Sequence, residues 1–280
     1  MQNSESKKAV FIVGSARSGT TLLQSMLASH PEVFSFPETH FFRGTISKFS
    51  FLRWFKFYGK KDRKFIRQFI DRVERGNLVD KIPPATISTA EWIKGLLNLL
   101  DSLSQNSTGK IWVEKTPMHL YFASLIEEVR PETKFIHIIR DGTDVVASLF
   151  DASGKNPNAF DGEQSIQKCI FRWKIDIQVH KKHLRKHNHH FVFYKDLIYK
   201  TDVALGQICE FLEMEFLDEM KSFSHKTKEL KFPEEVWKPD ASNELKESNK
   251  FEKIFSKDDQ ALIRSKVDSI YSSPFLNQGL

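Results

Sequence analysis

Cysteine is nearly absent from this 280-residue chain: Cys169 and Cys209 stand alone, without a Cys-x-x-Cys pair or a histidine at finger spacing. A disulfide framework and a structural zinc domain are thereby excluded, and a reducing compartment is the expected setting. Long apolar runs are missing too. No uncharged stretch approaches the roughly 18 residues of a membrane-spanning helix, and the polar start from Met1 to Lys8 lacks the apolar segment of a signal peptide. A cytoplasmic location is the expectation. Without an internal repeat or a low-complexity block, one domain over 1–280 is expected, its residues 1–8 flexible. Charge is lopsided only slightly: 42 Lys and Arg against 36 Asp and Glu leave +6, which favours an anionic partner. No basic motif with interleaved stacking aromatics points to nucleic acid. Phenylalanine is the excess, 25 in all and six of them between residues 41 and 57.

Four short apolar runs each lead into helical spacing. Ala9-Val10-Phe11-Ile12-Val13 ends at Gly14 and precedes Leu22, Leu23, Met26 and Leu27, which stop at His30-Pro31. Ile111-Trp112-Val113 precedes Thr116-Pro117, an expected N-cap with proline at the first helical position, and then Leu120, Ala123, Leu125 and Ile126. Residues 134–139 precede Asp141-Gly142 and Val145, Val146 and Leu149; Phe191-Val192-Phe193-Tyr194 precedes Thr201-Asp202 and Leu205, Ile208, Phe211 and Leu212. Strand then helix, four times, predicts an α/β fold with a central parallel sheet flanked by helices. Helical insertions are expected over 48–104 and 163–188, loops over 151–162, and a loop-rich C-terminal segment over 223–250.

Gly14-Ser15-Ala16-Arg17-Ser18-Gly19-Thr20-Thr21 joins the first strand to its helix, the setting in which backbone N–H groups and a helix N-terminus wrap an anion. The glycines fall at the two glycine positions of a P-loop, yet Thr20-Thr21 stands where an NTPase carries Lys-Ser or Lys-Thr. Without that lysine a nucleotide kinase or NTPase is the second reading, and a nucleotide-binding protein without catalysis the third.

Arg17-Ser18-Gly19-Thr20-Thr21, together with a strand ending in Arg140 and Ser148 eight residues on, resembles the sulfotransferase family, whose donor is 3′-phosphoadenosine 5′-phosphosulfate (PAPS). Resemblance extends over about residues 9–213 and is greatest to the branch with the tyrosylprotein sulfotransferases and bacterial relatives. It rests further on the segment from His30-Pro31 to Glu38-Thr39-His40, on Glu114-Lys115-Thr116-Pro117, and on Tyr194-Lys195-Asp196-Leu197. The resemblance implies a P-loop-like sulfotransferase fold and PAPS-dependent transfer to a hydroxyl acceptor, with no metal required. It implies that Arg17, Ser18, Gly19, Thr20, Thr21, Arg140, Ser148 and Tyr194 hold the donor. Glu38 is the implied base and His40 its rival, in a place where the tyrosylprotein pattern carries Arg; Lys115 and Arg17 are assigned to the transferring group, with Glu114 a possible partner of Lys115. Trp237-Lys238-Pro239 and Lys250-Phe251 only loosely match a cofactor-covering segment.

Two further patterns are expected to be unremarkable. His180, His183 and His187 lie in a run of lysines and arginine without a carboxylate, which predicts a solvated basic helix end rather than a metal site. The aromatics of 49–58 surround a narrow polar stripe of Ser50, Arg53 and Lys56. Core packing is the first expectation for them, with an acceptor-binding lid or a peripheral helix on anionic lipid as alternatives.

Overall fold

The computed structural model describes residues 7–160, 162–235 and 249–271; Trp237-Lys238-Pro239 and most of the expected flexible start lie outside them. Five parallel strands, β1 (Lys8–Gly14), β2 (Val33–Ser35), β3 (Ile111–Lys115), β4 (Lys134–Ile139) and β5 (His189–Phe193), form one sheet in the order β2-β3-β1-β4-β5. Every residue of β1 after Lys8 is buried. Its side chains alternate: Ala9, Phe11 and Val13 enter one apolar cluster, Val10 and Ile12 the other. A strand sandwiched between two helical layers needs apolar residues on both faces, which is why β1 reads as an unbroken apolar run. The first cluster continues into the helices Lys60–Arg72 and Thr89–Ser104 of the insertion, the second into Thr20–Ala28 and Thr201–Leu212.

Strand order locates the site. β1 lies between β3 and β4, so the chain turns one way after β1 and the other way after β3. A crevice opens at the carboxyl ends of strands where the order reverses in this manner.

Several expectations change. β2 is a fifth strand, three residues long and paired in register with β3. The expected loop over 151–162 is in part helix, because the helix Gly142–Lys155 runs through its first five residues, and Ser224–Glu229 is helical within 223–250. Thr116 does not cap the following turn: its hydroxyl donates instead to Glu114. The aromatic stretch divides. Phe41, Phe42 and Tyr58 are fully buried, but Phe49, Phe51, Trp54, Phe55 and Phe57 are exposed around a four-residue helix, Ser50–Arg53, so core packing fails for them. Nor is 180–187 a solvated helix end throughout. His180 and His183 are buried, beside His137 of β4 and His189 of β5.

Candidate active site

The crevice is built from three elements. The first is the loop between β1 and the helix Thr20–Ala28. Gly19 adopts φ +94°, and a Cβ there would come within 2.4 Å of the Tyr194 ring, so both backbone and neighbour require glycine. A Cβ at Gly14 would stand 2.8 Å from the Ile138 carbonyl oxygen, which lets β1 and β4 approach closely just below the loop. No side chain caps the helix, whose first amides and positive dipole end face the loop. Ser18 and Thr20 are buried there.

The second element is the end of β4 and the helix Gly142–Lys155. Arg140 Nη1 donates to the Arg17 carbonyl oxygen at 3.3 Å, and Arg17 Nε donates to Ser148 Oγ at 3.2 Å. Arg140, just after β4, and Ser148, within the helix, thus meet on the loop arginine because the turn at Asp141 folds the helix back over the end of the strand. The Arg140 guanidinium lies 4.3 Å from the Tyr194 ring centroid and reaches Asp144 Oδ2 from Nε and Nη2, at 3.2 Å each. Asp141 caps the helix instead, accepting from the Thr143 N–H at 2.8 Å. Burial, and then the charge of Arg140, pull the Arg17 pKa below its ordinary value, with Asp151 and Glu38 opposing. Two neighbouring guanidinium groups, Arg140 already sharing Asp144, suit an anion able to bridge them.

The third element brings Lys115 and Glu38 together. Lys115 Nζ lies 2.5 Å from Glu38 Oε1 and 3.1 Å from Thr21 Oγ1, with both charged side chains nearly buried. His40 Nε2 stands 3.4 Å from Glu38 Oε2, and burial holds its imidazole below the usual pKa against the pull of Glu38. His40 itself sits at φ +54°, a conformation that turns the chain abruptly into the helix Phe41–Thr45.

Glu114 is not the partner of Lys115. Successive residues of β3 face opposite sides of the sheet, and Glu114 points away, accepting from Thr39 Oγ1 at 2.9 Å and Thr116 Oγ1 at 2.7 Å, with His119 Nδ1 at 2.8 Å. Burial pushes this carboxyl up, but His119, Thr116 and Thr39 together hold it below its ordinary value. Because Thr39 separates Glu38 from His40, Glu114 anchors the loop that carries both. Sequence reasoning missed this, though the two-residue period of a strand is enough to separate Glu114 from Lys115. It also missed Asp176. This buried carboxyl accepts from Tyr121 Oη at 2.5 Å, and burial raises its pKa to about 6 against hydrogen bonds from Tyr121 and Ser15 of the loop. Asp176 comes from the helix Ile166–Lys181, more than 150 residues along the chain from the loop that it supports, and no local motif announces it.

The crevice gathers Arg17, Ser18, Gly19, Thr20, Thr21, Glu38, His40, Lys115, Arg140, Ser148 and Tyr194. Replacing Arg140 with Ala is expected to raise the KM for a phosphate-bearing donor 10–100-fold, the worth of one or two charge-assisted hydrogen bonds, with a smaller change in kcat. Steady-state kinetics with the donor varied measures it, and an unchanged KM would remove Arg140 from the donor site.

Residues 9–219 match the family model described as Sulfotransferase family. The chain is 24% identical over 218 residues to protein-tyrosine sulfotransferase A of Caenorhabditis elegans, covering 75% of this chain but only 51% of that relative's length. Among solved structures it is similar to the sulfotransferase domain of the curacin biosynthetic pathway, with TM-score 0.60 and 20% identity over 95% of this chain and 99% of that one. A mouse sulfotransferase solved with PAP, 13% identical, aligns at TM-score 0.55 over 97% and 86% of the two chains. With the match extending across the sheet, the phosphate loop and the Arg140–Ser148 element, the chain belongs to the sulfotransferase family.

Proposed function

We propose that the protein transfers a sulfuryl group from PAPS to a hydroxyl acceptor. The observation that carries this reading is the position of Lys115, whose ammonium touches Thr21 of the phosphate loop on one side and Glu38 on the other. One cation thereby joins the place where a donor's phosphate is cradled to a carboxylate able to take a proton.

PAPS supplies the sulfuryl group, and its remainder leaves as 3′,5′-adenosine bisphosphate (PAP). The loop amides with Ser18, Gly19, Thr20 and Thr21 hold the 5′-phosphate end; Arg140 and Ser148 hold the 3′-phosphate; the Tyr194 ring lies against the Arg140 guanidinium. Glu38 accepts the proton of the acceptor O–H as its oxygen bonds to sulfur. Lys115 and Arg17 neutralise the charge that gathers on the bridging oxygen as the sulfur–oxygen bond to the 5′-phosphate breaks. His40, whose Nε2 stands 3.4 Å from Glu38 Oε2, orients that carboxylate. The 3′-phosphate, which ADP and ATP lack, distinguishes this donor from them and gives Arg140 beside Ser148 a reason that phosphoryl transfer does not.

The acceptor is proposed only as a hydroxyl compound. Incubation with ³⁵S-labelled PAPS and a panel of phenolic, sugar and aliphatic alcohols tests the reading: a labelled sulfate ester with stoichiometric PAP supports it. Turnover of ATP with no transfer from PAPS would replace it with the NTPase reading.

Among the described residues no helix is long and apolar enough to cross a membrane. The exposed aromatics nevertheless support contact with an anionic membrane surface. Trp54 is 88% exposed and Phe55 78%, within a patch that includes Phe49, Phe51, Leu52 and Phe57. Lys48, Arg53 and Lys56 are interspersed, and Lys60, Lys61, Arg63 and Lys64 follow, the combination of apolar wedge and cation that suits an anionic interface. In vesicle flotation the protein is expected to bind phosphatidylserine-containing vesicles and not neutral ones. Trp54→Ser with Phe55→Ser should weaken binding at least tenfold, and equal flotation of the variant would contradict the assignment.

A further inference from the structure

The fold assembles a group of side chains that the proposed reaction does not use. His183 lies in the turn after the helix Ile166–Lys181, His189 opens β5, and Glu127 comes from the helix Ala123–Val129 on a different part of the chain. One ligand atom from each of the three lies within 4.8 Å of the others. His183 and His189 are 1% and 7% exposed, and their Nδ1 and Nε2 atoms, respectively, are buried without a hydrogen-bond partner. An unpartnered imidazole nitrogen in a dry site costs free energy unless something binds it. Glu127 Oε2 stands 3.7 Å from His189 Nε2 and 2.6 Å from Lys186 Nζ.

We propose that Glu127, His183 and His189 form a binding site for a borderline divalent transition metal of the zinc class, remote from the phosphate loop. Two imidazoles and one carboxylate are a zinc-type donor set, which leaves a fourth tetrahedral position to water and offers too few oxygens for Mg²⁺ or Ca²⁺. A tetrahedral ion brings its ligand atoms to about 3.3 Å from one another, so the stacked rings of His183 and His189, 4.4 Å apart at their centroids, must tilt slightly towards Glu127. Lys186, whose side chain is 36% exposed, can swing out to solvent and yield Glu127 to the ion. The one lysine seen on Glu127, Lys186, is therefore displaceable, and the carboxylate that the run itself lacks is supplied across the fold.

A supporting chain of imidazoles lies behind the site. His189 Nδ1 is 2.7 Å from His137 Nε2, and His137 Nδ1 is 2.8 Å from His180 Nδ1. A metal on His189 Nε2 requires the proton to sit on Nδ1. His189 then donates to His137, His137 donates to His180, and one tautomer is selected along the whole row. Such outer partners fix ring orientation and raise ligand basicity. The ion would tie β5, the turn after Ile166–Lys181 and the helix Ala123–Val129 together near the amino end of the strands, so loading should change stability rather than turnover.

The test is titration of chelator-stripped full-length protein, with folding checked by circular dichroism, using Zn²⁺ against a competing chromogenic chelator and thermal melts in parallel. One Zn²⁺ per chain and a raised Tm are expected, with no response to Mg²⁺. His183→Ala and Glu127→Gln should weaken binding at least tenfold, whereas Lys186→Met should tighten it by about tenfold, because the competing cation is gone. Should His183→Ala fail to fold, the opposite signs of Glu127→Gln and Lys186→Met decide. Absence of stoichiometric Zn²⁺ in both folded wild type and Lys186→Met, or unchanged affinity in Glu127→Gln and His183→Ala, would overturn the site.

Discussion

Lys115→Met is expected to lower kcat by about 10²–10³-fold, the usual cost of removing one donor aimed at charge that develops in the transition state. Lys115 is 3% exposed at the side chain and contacts Glu38 and Thr21, so no solvent cation or surface lysine can take its place. Methionine keeps an unbranched apolar stem of similar reach and removes the ammonium, with its charge and its hydrogen bonds to Glu38 and Thr21. The KM for the donor should change less than kcat, because the bridging oxygen becomes strongly anionic only as the bond breaks. Single-turnover rates, with circular dichroism to confirm the fold, measure this. A variant that loses donor affinity while keeping its kcat would make Lys115 a binding residue and no more.

Glu38→Gln should be comparably severe, lowering kcat by about 10³-fold if it removes the general base. The amide retains a carbonyl oxygen for Lys115 and nearly the same volume, which separates lost basicity from lost packing. His40→Asn is the necessary companion. His40 touches Glu38 Oε2 from 3.4 Å, so its loss should reduce kcat less than about tenfold by loosening Glu38. The reverse order, with His40→Asn inactive and Glu38→Gln active, would transfer the base to His40. Because Lys115 and Glu38 are in contact, the double variant should lose much less than the product of the two single losses.

What could be read from the chain follows from how each feature is encoded. β1 was legible as an unbroken apolar run because a strand buried on both faces favours one, β3, β4 and β5 as shorter apolar runs that polar residues such as Glu114 and His137 interrupt or flank, and the phosphate loop because its glycines and hydroxyls are contiguous. β2 was not: Val33-Phe34-Ser35 is too short to show a period, and its pairing with β3 is a property of the fold. Arg140 and Ser148 were legible as a spacing, but their meeting on Arg17 required the turn between β4 and its helix to be in place. The aromatic run misleads for a different reason. Composition cannot tell Phe42, fully buried beside Phe11, from Phe55, largely exposed, because the difference lies in where the helix Ser50–Arg53 stops and which way the chain leaves it. Local charge misleads at the histidines, whose carboxylate, Glu127, is more than fifty residues from His183 in sequence.

The account turns on a donor carrying phosphates at both the 5′ and 3′ positions. Thermal unfolding with PAP, set beside ADP with Mg²⁺, tests that most directly. A ligand at 100 times its Kd that binds only the native state adds about 2.7 kcal/mol, or roughly 5 °C for a chain of this length. The account predicts that PAP raises Tm by about that amount, that ADP with Mg²⁺ does so much less, and that the difference largely disappears in Arg140→Ala. Stabilisation by ADP with Mg²⁺ and none by PAP would contradict it.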